Sequence, residues 1–167
     1  MADEIVNKVA ASGLLTLDLA DLLPKDIVEF DIKDYLFMQM ILKEKDFREK
    51  LKVIDWTGFE NKNIAVFCSA DAIIPSWAYM LIGSYLQPVA AFFAFGKKGD
   101  IEEKLLLDNI DSLPTEDYRD KRIIVKGCGD KTIPQSAYLE ITRLLRPIAK
   151  SIMYGEACSS VPVYKSK

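Results

Sequence analysis

The spacing of apolar residues along the chain predicts an alternation of strands and helices. Apolar residues at every second position, or short β-branched runs, are typical of strands, and intervals of three and four are typical of a helix with one buried face. The predicted strands are 15–19, 27–32, 63–67, 89–95, 122–126 and 148–154. The predicted helices are 3–12, 35–52, 74–86, 100–110 and 133–145. Asp34 is expected to cap the second helix, whose predicted buried stripe is Leu36, Met40, Phe47 and Leu51.

One of these patterns occurs twice in the chain. Residues 62–96 align without a gap with residues 121–155, at an offset of 59, and 13 of the 35 aligned positions are identical. Each copy is predicted as strand, loop, helix and strand. A proline suits the first turn of each helix, at Pro75 and Pro134, and a second proline stops each helix, at Pro88 and Pro147. The chain therefore contains a βαβ pattern that we interpret as an internal duplication.

A strand, a crossover helix and a second strand favour parallel pairing with a right-handed crossover. The predicted fold class is therefore α/β, with a mostly parallel sheet flanked by helices and built around the duplicated βαβ unit (62–96 and 121–155). A chain of 167 residues is long enough to bury one core, and we expect a single domain over residues 1–167.

Composition narrows the classes of protein to which the chain can belong. The net charge is −3 and acidic and basic residues are interleaved, so no basic patch for nucleic acid stands out. The longest strongly apolar run, 89–95, is far too short to span a bilayer, and the acidic N-terminus lacks the pattern of a signal peptide. We expect a cytoplasmic protein that binds neither nucleic acid nor membranes. The mean hydropathy of +0.06 favours a buried subunit interface in a homo-oligomer.

The absence of histidine from the sequence restricts the chemistry. Ser-His-Asp and Cys-His nucleophile systems, His₃ zinc sites and imidazole bases are excluded. Cysteine, acidic residues, lysine, tyrosine or a bound cofactor must supply any reactivity. The chain has three cysteines, Cys68, Cys128 and Cys158, which cannot all pair, so a disulfide framework is not expected.

Each cysteine follows a predicted strand, which makes a shared site possible. If these strands are parallel in one sheet, all three thiols reach the edge at which α/β proteins bind ligands. Thiolates are soft ligands that suit zinc or an iron–sulfur cluster. The leading prediction is a metal site formed by the three cysteines. The three thiolates leave one coordination position of a tetrahedral metal open for water, for a partner's group or for a carboxylate. The candidate carboxylates are Asp71, Asp130 and Glu156, which could bind the metal or orient the thiolate ligands.

Other interpretations of the thiols stay open. A free cysteine is most often a small buried hydrophobe, and the repeat aligns Cys68 with Gly127 and Cys128 with Ser69, one residue out of step. A second hypothesis is a sulfur-transfer or redox enzyme with Cys158 as the nucleophile, its pKa lowered by a helix N-terminus or a nearby lysine. A third is a non-catalytic oligomeric scaffold with buried, inert thiols.

Two residue types keep the register of the repeat. Asp71 and Asp130 each precede a predicted helix, so N-terminal capping is the main alternative to a role as metal ligands. Tyr79 and Tyr138 are predicted as aromatic residues of the core or of an interface.

Four segments of the chain resemble a bacterial family catalogued as domain of unknown function 2480, and together they contain all three cysteines: 42–48, 68–81, 126–130 and 151–162. The resemblance covers essentially the whole chain. The family has no established activity, so the resemblance implies no particular reaction. It does imply a link with iron–sulfur cluster assembly, and with assembly proteins as partners, because members tend to be encoded beside genes for that process.

Overall fold

A computed structural model of the chain describes residues 13–127 and 129–167. The chain divides into two compact units. Unit 1 comprises the residues up to Leu23 together with Leu105–Lys167, and unit 2 comprises Pro24–Lys104. The predicted helix 3–12 and Cys128 lie outside the described residues.

Each unit contains its own mostly parallel sheet. The strands are β1 (Leu14–Asp18), β2 (Ile27–Asp31), β3 (Asn63–Phe67), β4 (Phe92–Phe95), β5 (Arg122–Lys126), β6 (Ser151–Glu156) and β7 (Ser159–Lys165). The helices are α1 (Glu44–Lys52), α2 (Ser76–Leu86), α3 (Lys98–Asp111) and α4 (Gln135–Leu145). The described residues also form four short 3-10 helices, at Leu19–Leu22, Ile32–Tyr35, Trp56–Phe59 and Thr115–Tyr118.

Unit 2 is built on a three-stranded parallel sheet in the order β2-β3-β4. The central strand β3 is apolar after Asn63 and has three consecutive buried residues, as expected of a strand covered on both faces. The helices α1 and α2 pack against this sheet with apolar residues that are three or four positions apart. The core formed in this way includes Phe30, Phe47, Leu51, Ile64, Val66, Ala78, Ile82 and Leu86.

Unit 1 is built on a four-stranded sheet in the order β1-β5-β6-β7. The pairs β1–β5 and β5–β6 are parallel, and β7 pairs antiparallel with β6. The core lies between this sheet and the helical residues of α3 and α4. Its members include Leu17, Leu106, Ile110, Ile123, Val125, Ala137, Ile141, Leu145 and Ile152.

The predicted α/β class with mostly parallel strands is confirmed, although the strands are divided between two sheets. The bounds of β3, α2 and β4 recur 59 residues later in β5, α4 and the start of β6, as an internal repeat predicts. The duplication itself stays a hypothesis, and so does the prediction of a single domain. None of the described helices has both the length and the apolar character needed to cross a membrane.

The predicted helix 35–52 is wrong in its first half, because α1 begins only at Glu44. Met38 and Gln39 have positive φ values of 50° and 57°, and Phe37 bridges to Ile41 across this tight turn. Met40 is consequently 65% exposed rather than buried. Asp34 is not a helix cap.

The ends of the repeat also differ from the prediction. β4 begins at Phe92 and not at 89, because residues 89 and 90 still donate their N–H groups to the carbonyl of Leu86 at the end of α2. Among the described strands, β4 lies at the edge of its sheet, and none of its four residues is fully buried. The polar tail of the chain, for which no strand is predicted, forms β7.

Candidate functional site

A cavity of about 950 Å³ lies in unit 1, between α4, the strands β5 to β7 and the loop before α4. This volume is within the range of small-molecule binding sites. Most of the side chains around it are apolar: Val125, Ile133, Leu139, Ile141, Ile152, Met153 and Val163. The cavity therefore offers an apolar surface of ligand size beside the carboxyl ends of parallel strands, where α/β proteins commonly bind ligands.

Two tyrosines form an aromatic wall of the cavity. The rings of Tyr138 on α4 and Tyr154 on β6 pack edge to face, with their centroids 5.7 Å apart and an interplanar angle of 82°. This arrangement is favourable for aromatic rings and fixes their positions relative to each other. The prediction that Tyr138 is an aromatic residue of the core or an interface fits its partly buried position against the core of unit 1.

The sequence at the end of β5 allows Tyr138 to lie close to the backbone. A Cβ atom built on Gly127 would be 2.4 Å from the Tyr138 hydroxyl oxygen and 3.1 Å from Cγ1 of Ile133. Real Cβ atoms do not approach other atoms so closely, so only glycine fits at this position without displacing the ring. Gly127 therefore helps to set the shape of the cavity.

Few polar groups line the cavity. Lys131 is the one charged side chain among its described lining residues, and Thr132, Gln135 and Thr142 supply neutral polar atoms. The Thr142 hydroxyl donates a hydrogen bond of 2.7 Å to the carbonyl of Tyr138 within α4. Such a lining, apolar with one cationic group, suits a molecule with an apolar body and one negative charge.

The equivalent region of unit 2 has two smaller cavities. Seven residues line one of about 420 Å³, and their counterparts 59 positions later all line the cavity of unit 1. Phe93 and Gly83 stand where unit 1 has Ile152 and Thr142, and the Phe93 ring comes within 3.2 Å of the Cβ position of Gly83. The absence of a side chain at Gly83 makes room for the larger Phe93 ring, whereas unit 1 pairs the smaller Ile152 with the side chain of Thr142.

The second cavity of unit 2, of about 340 Å³, is lined by Cys68 at the end of β3. The thiol is half-buried and lies 3.7 Å from the carbonyl oxygen of Ala70. Burial raises the pKa of the Tyr79 hydroxyl, and negative charge on the neighbouring Cys68 raises it further. Tyr79 packs edge to face against Phe95 at 5.6 Å, as Tyr138 does against Tyr154.

The loop that carries Cys68 is held by a carboxylate from another strand. Asp31, the last residue of β2, accepts hydrogen bonds from the N–H of Ser69 at 3.0 Å and from its hydroxyl at 2.5 Å. It also accepts one from the N–H of Lys33 at 3.0 Å. Burial raises the pKa of Asp31, but the bonds from Ser69 and Lys33 and the charge of Lys33 outweigh it, so the pKa lies below its usual value.

Cys158 lies in a different setting, in the turn between β6 and β7, where it is exposed. Glu156, at the end of β6, is 3.8 Å from the ammonium group of Lys126, which also pairs with Asp18 at 3.4 Å. The hydrogen bond with Asp18 and the charges of Glu156 and Asp18 raise the pKa of Lys126. The candidate ligand Glu156 therefore belongs to a cluster of opposite charges at the end of the unit 1 sheet.

The expectation that all three thiols follow strands of one sheet is wrong for Cys68 and Cys158, because β3 and β6 belong to different sheets. Capping by Asp71 and Asp130 is also wrong: both residues are exposed, and the N-caps of α2 and α4 are Pro75 and Pro134. Within residues 13–127 and 129–167, no group of three His, Cys, Asp or Glu residues is positioned to hold a metal ion. The roles of the three cysteines and three carboxylates as ligands stay predictions.

Sequence reasoning missed the cavity of unit 1. The available signal was the set of differences between the two repeats, in which Phe93 becomes Ile152 and Gly83 becomes Thr142. Periodicity identifies buried positions, but it does not tell whether neighbouring side chains fill the space between a helix and a sheet.

The described residues define an α/β protein with two mostly parallel sheets and with cavities of small-molecule size, of which that in unit 1 has the greater volume. The chain belongs to the family described as "Protein of unknown function (DUF2480)", whose family model matches residues 3–166. The resemblance drawn from the four sequence segments is thereby confirmed. Searches of curated proteins and of solved structures gave no match.

Proposed function

We propose that the protein binds a small molecule in unit 1, and that this molecule has a mostly apolar or aromatic body with one anionic group. The observation that carries the proposal is the cavity of about 950 Å³ in which Lys131 is the one charged side chain among the described lining residues. Burial of apolar surface supplies affinity at roughly 25 cal/mol per Å² before the costs of association. Lys131 attracts and orients the negative end.

The test uses two fluorescent probes with the same aromatic body. 8-Anilinonaphthalene-1-sulfonate carries a negative charge, and N-phenyl-1-naphthylamine does not. We expect both to bind the folded protein, the anionic probe more tightly. The change Lys131→Gln should weaken binding of the anionic probe about fivefold, which corresponds to roughly 1 kcal/mol for an exposed ion pair, and should leave the neutral probe unaffected.

The matched control is Lys97→Gln, which removes an exposed lysine that lines the smaller cavity of unit 2. It should leave the affinity of both probes unchanged. Equal affinities of the wild-type protein for the two probes, or equal effects of Lys131→Gln on both, would show that Lys131 does not select an anion. Failure of both probes to bind would remove the proposed function.

Zinc or iron–sulfur binding by Cys68, Cys128 and Cys158, with a place in cluster assembly, is retained as a second proposal. Its support is the softness of the thiolate ligand and the presence of all three cysteines in the segments that resemble the family. Protein purified without oxygen should then contain iron or zinc, and each of the three Cys→Ser variants should lose it. Metal-free protein from cells supplied with both metals would contradict this proposal.

The enzyme and scaffold hypotheses are separated from metal binding by thiol reactivity. A redox or sulfur-transfer enzyme predicts one thiol that is alkylated much faster than the others at neutral pH. The exposed position of Cys158 makes it the accessible candidate, whereas Cys68 is half-buried. A scaffold with inert thiols predicts slow alkylation at every cysteine and no metal.

A further inference from the structure

The strand β4 forms an edge of the described unit 2 sheet, and its four residues include no charged residue and no proline. It pairs with β3 on one side, and no described strand pairs with its other side. Natural edge strands are commonly kept short or shielded by charged residues, proline or a bulge, and β4 has only the first of these features. The four residues of β4 are Phe-Phe-Ala-Phe, and the side chain of Phe95 is 73% exposed.

The direction of the backbone groups shows which hydrogen-bond donors and acceptors of β4 are available to an added strand. The N–H groups of Phe92 and Gly96 donate to carbonyls of Lys62 and Val66, on the β3 side. Backbone groups alternate in direction along a strand, so the N–H and C=O groups of Phe93 and Phe95 face away from β3. These two residues can therefore form a ladder with an added strand.

Unit 1 shows how the equivalent edge is closed. β6 corresponds to β4 at the offset of 59 residues, so Ile152 and Tyr154 correspond to Phe93 and Phe95. The antiparallel strand β7 pairs with them, with Ile152 opposite Tyr164 and Tyr154 opposite Val161. Unit 2 has no described counterpart of β7. The occupant that fits this edge is thus an antiparallel strand with apolar residues.

We propose that β4 is a dimer interface at which a second copy of this chain adds its own β4 in antiparallel orientation. A two-fold axis at Ala94 places Phe93 of each chain opposite Phe95 of the other, so all the outward-facing backbone groups of these residues pair. Antiparallel pairing of identical strands is self-complementary and closes at two subunits.

The charges around β4 agree with a second copy as the partner. In this register Lys97 lies opposite Ala91 of the partner subunit, and the lysines of the two chains do not face each other. The exposed ring of Phe95 and the 74% exposed side chain of Met80 add apolar surface beside the paired strands. The proposed interface uses no residue that lines the cavity of unit 1, so failure of the dimer test and failure of the proposed function are distinguishable.

The first test is the mass of the full chain in solution, measured by sedimentation equilibrium. The wild-type protein should be a dimer, and Phe95→Lys should be a monomer at the same concentrations, because two added charges would lie at the strand pair. Val53→Lys is the matched control, since Val53 is an 83% exposed apolar residue elsewhere in unit 2. It should remain dimeric. A monomeric wild type, or a dimeric Phe95→Lys, would overturn the proposal.

The second test measures the register between the two β4 strands. Residues opposite each other in a non-hydrogen-bonded antiparallel pair have Cα atoms about 4.5 Å apart, which a disulfide can bridge. Ala94→Cys should therefore form a covalent dimer under mild oxidation, and Val53→Cys, with the same native thiols, should not. Equal cross-linking of the two variants would contradict the two-fold axis at Ala94, and circular dichroism checks that every variant is folded.

Discussion

Among single residues, Gly127 has the most direct effect on the shape of the proposed binding site. Its missing side chain leaves room for the hydroxyl of Tyr138, which would otherwise be 2.4 Å from a Cβ atom. The repeat alignment places Cys68 at the equivalent position in unit 2, so the glycine is a property of one copy only. The sequence predicts that a glycine here allows another group to approach the backbone closely. It does not predict that this group is the Tyr138 hydroxyl.

The change Gly127→Ala should lower the free energy of unfolding by about 1–3 kcal/mol, because the added methyl group would overlap the Tyr138 hydroxyl and displace the ring from its contact with Tyr154. Gly129→Ala is the control, since a Cβ atom there meets nothing within 4 Å. It should change the free energy of unfolding by less than about 0.5 kcal/mol. Urea unfolding of both variants measures the difference. Equal effects would show that the contact with Tyr138 is not tight.

At the scale of elements, the short connections differ most from the sequence prediction. The sequence around residues 36–43 has the apolar spacing of a helix, yet the left-handed backbone of Met38 and Gln39 turns the chain sharply. Asn and Gly are the residues that usually indicate such a turn, and neither occurs at these two positions. The strand β7 is not evident from the sequence because most of its residues are exposed and it contains Pro162, although Tyr164 packs against the core and the strand pairs with β6.

The carboxylate of Asp31 connects β2 to the loop that follows β3, and this connection depends on pH. Because the pKa of Asp31 is lowered in the folded state, its contribution to stability is present above the unfolded pKa of about 3.9 and is lost as the pH falls through the folded pKa. Ser69→Ala removes one donor to Asp31. It should cost about 1 kcal/mol of unfolding free energy at pH 7 and less at pH 3.

Urea unfolding at the two pH values measures this difference. Ser84→Ala is the control, because the Ser84 hydroxyl donates to the uncharged carbonyl of Leu81 within α2. Its effect should be the same at both pH values. A Ser69→Ala effect that does not shrink at pH 3 would mean that the hydroxyl does not stabilise the ionised form of Asp31.

For the whole molecule, the sequence repeat predicted most of the architecture. Identities between the copies fall on buried positions such as Ile82 and Ile141, and these residues set the same helix against the same strands in each unit. The number of sheets could not be predicted, because β1 pairs with β5, more than 100 residues away, and not with β2. Local periodicity carries no information on such pairing. This pairing places Cys68 and Cys158 at strands of different sheets.

The central claim is that the cavity of unit 1, and not its counterpart in unit 2, binds a small molecule with a mostly apolar body and one negative charge. Leu139 at the cavity and Met80 in unit 2 are equivalent in the repeat and are 75% and 74% exposed. The most direct measurement is titration of 8-anilinonaphthalene-1-sulfonate into Leu139→Asp and Met80→Asp. We predict one site per chain, weakened about tenfold or more by Leu139→Asp and unchanged by Met80→Asp. Unchanged binding in Leu139→Asp would contradict the claim.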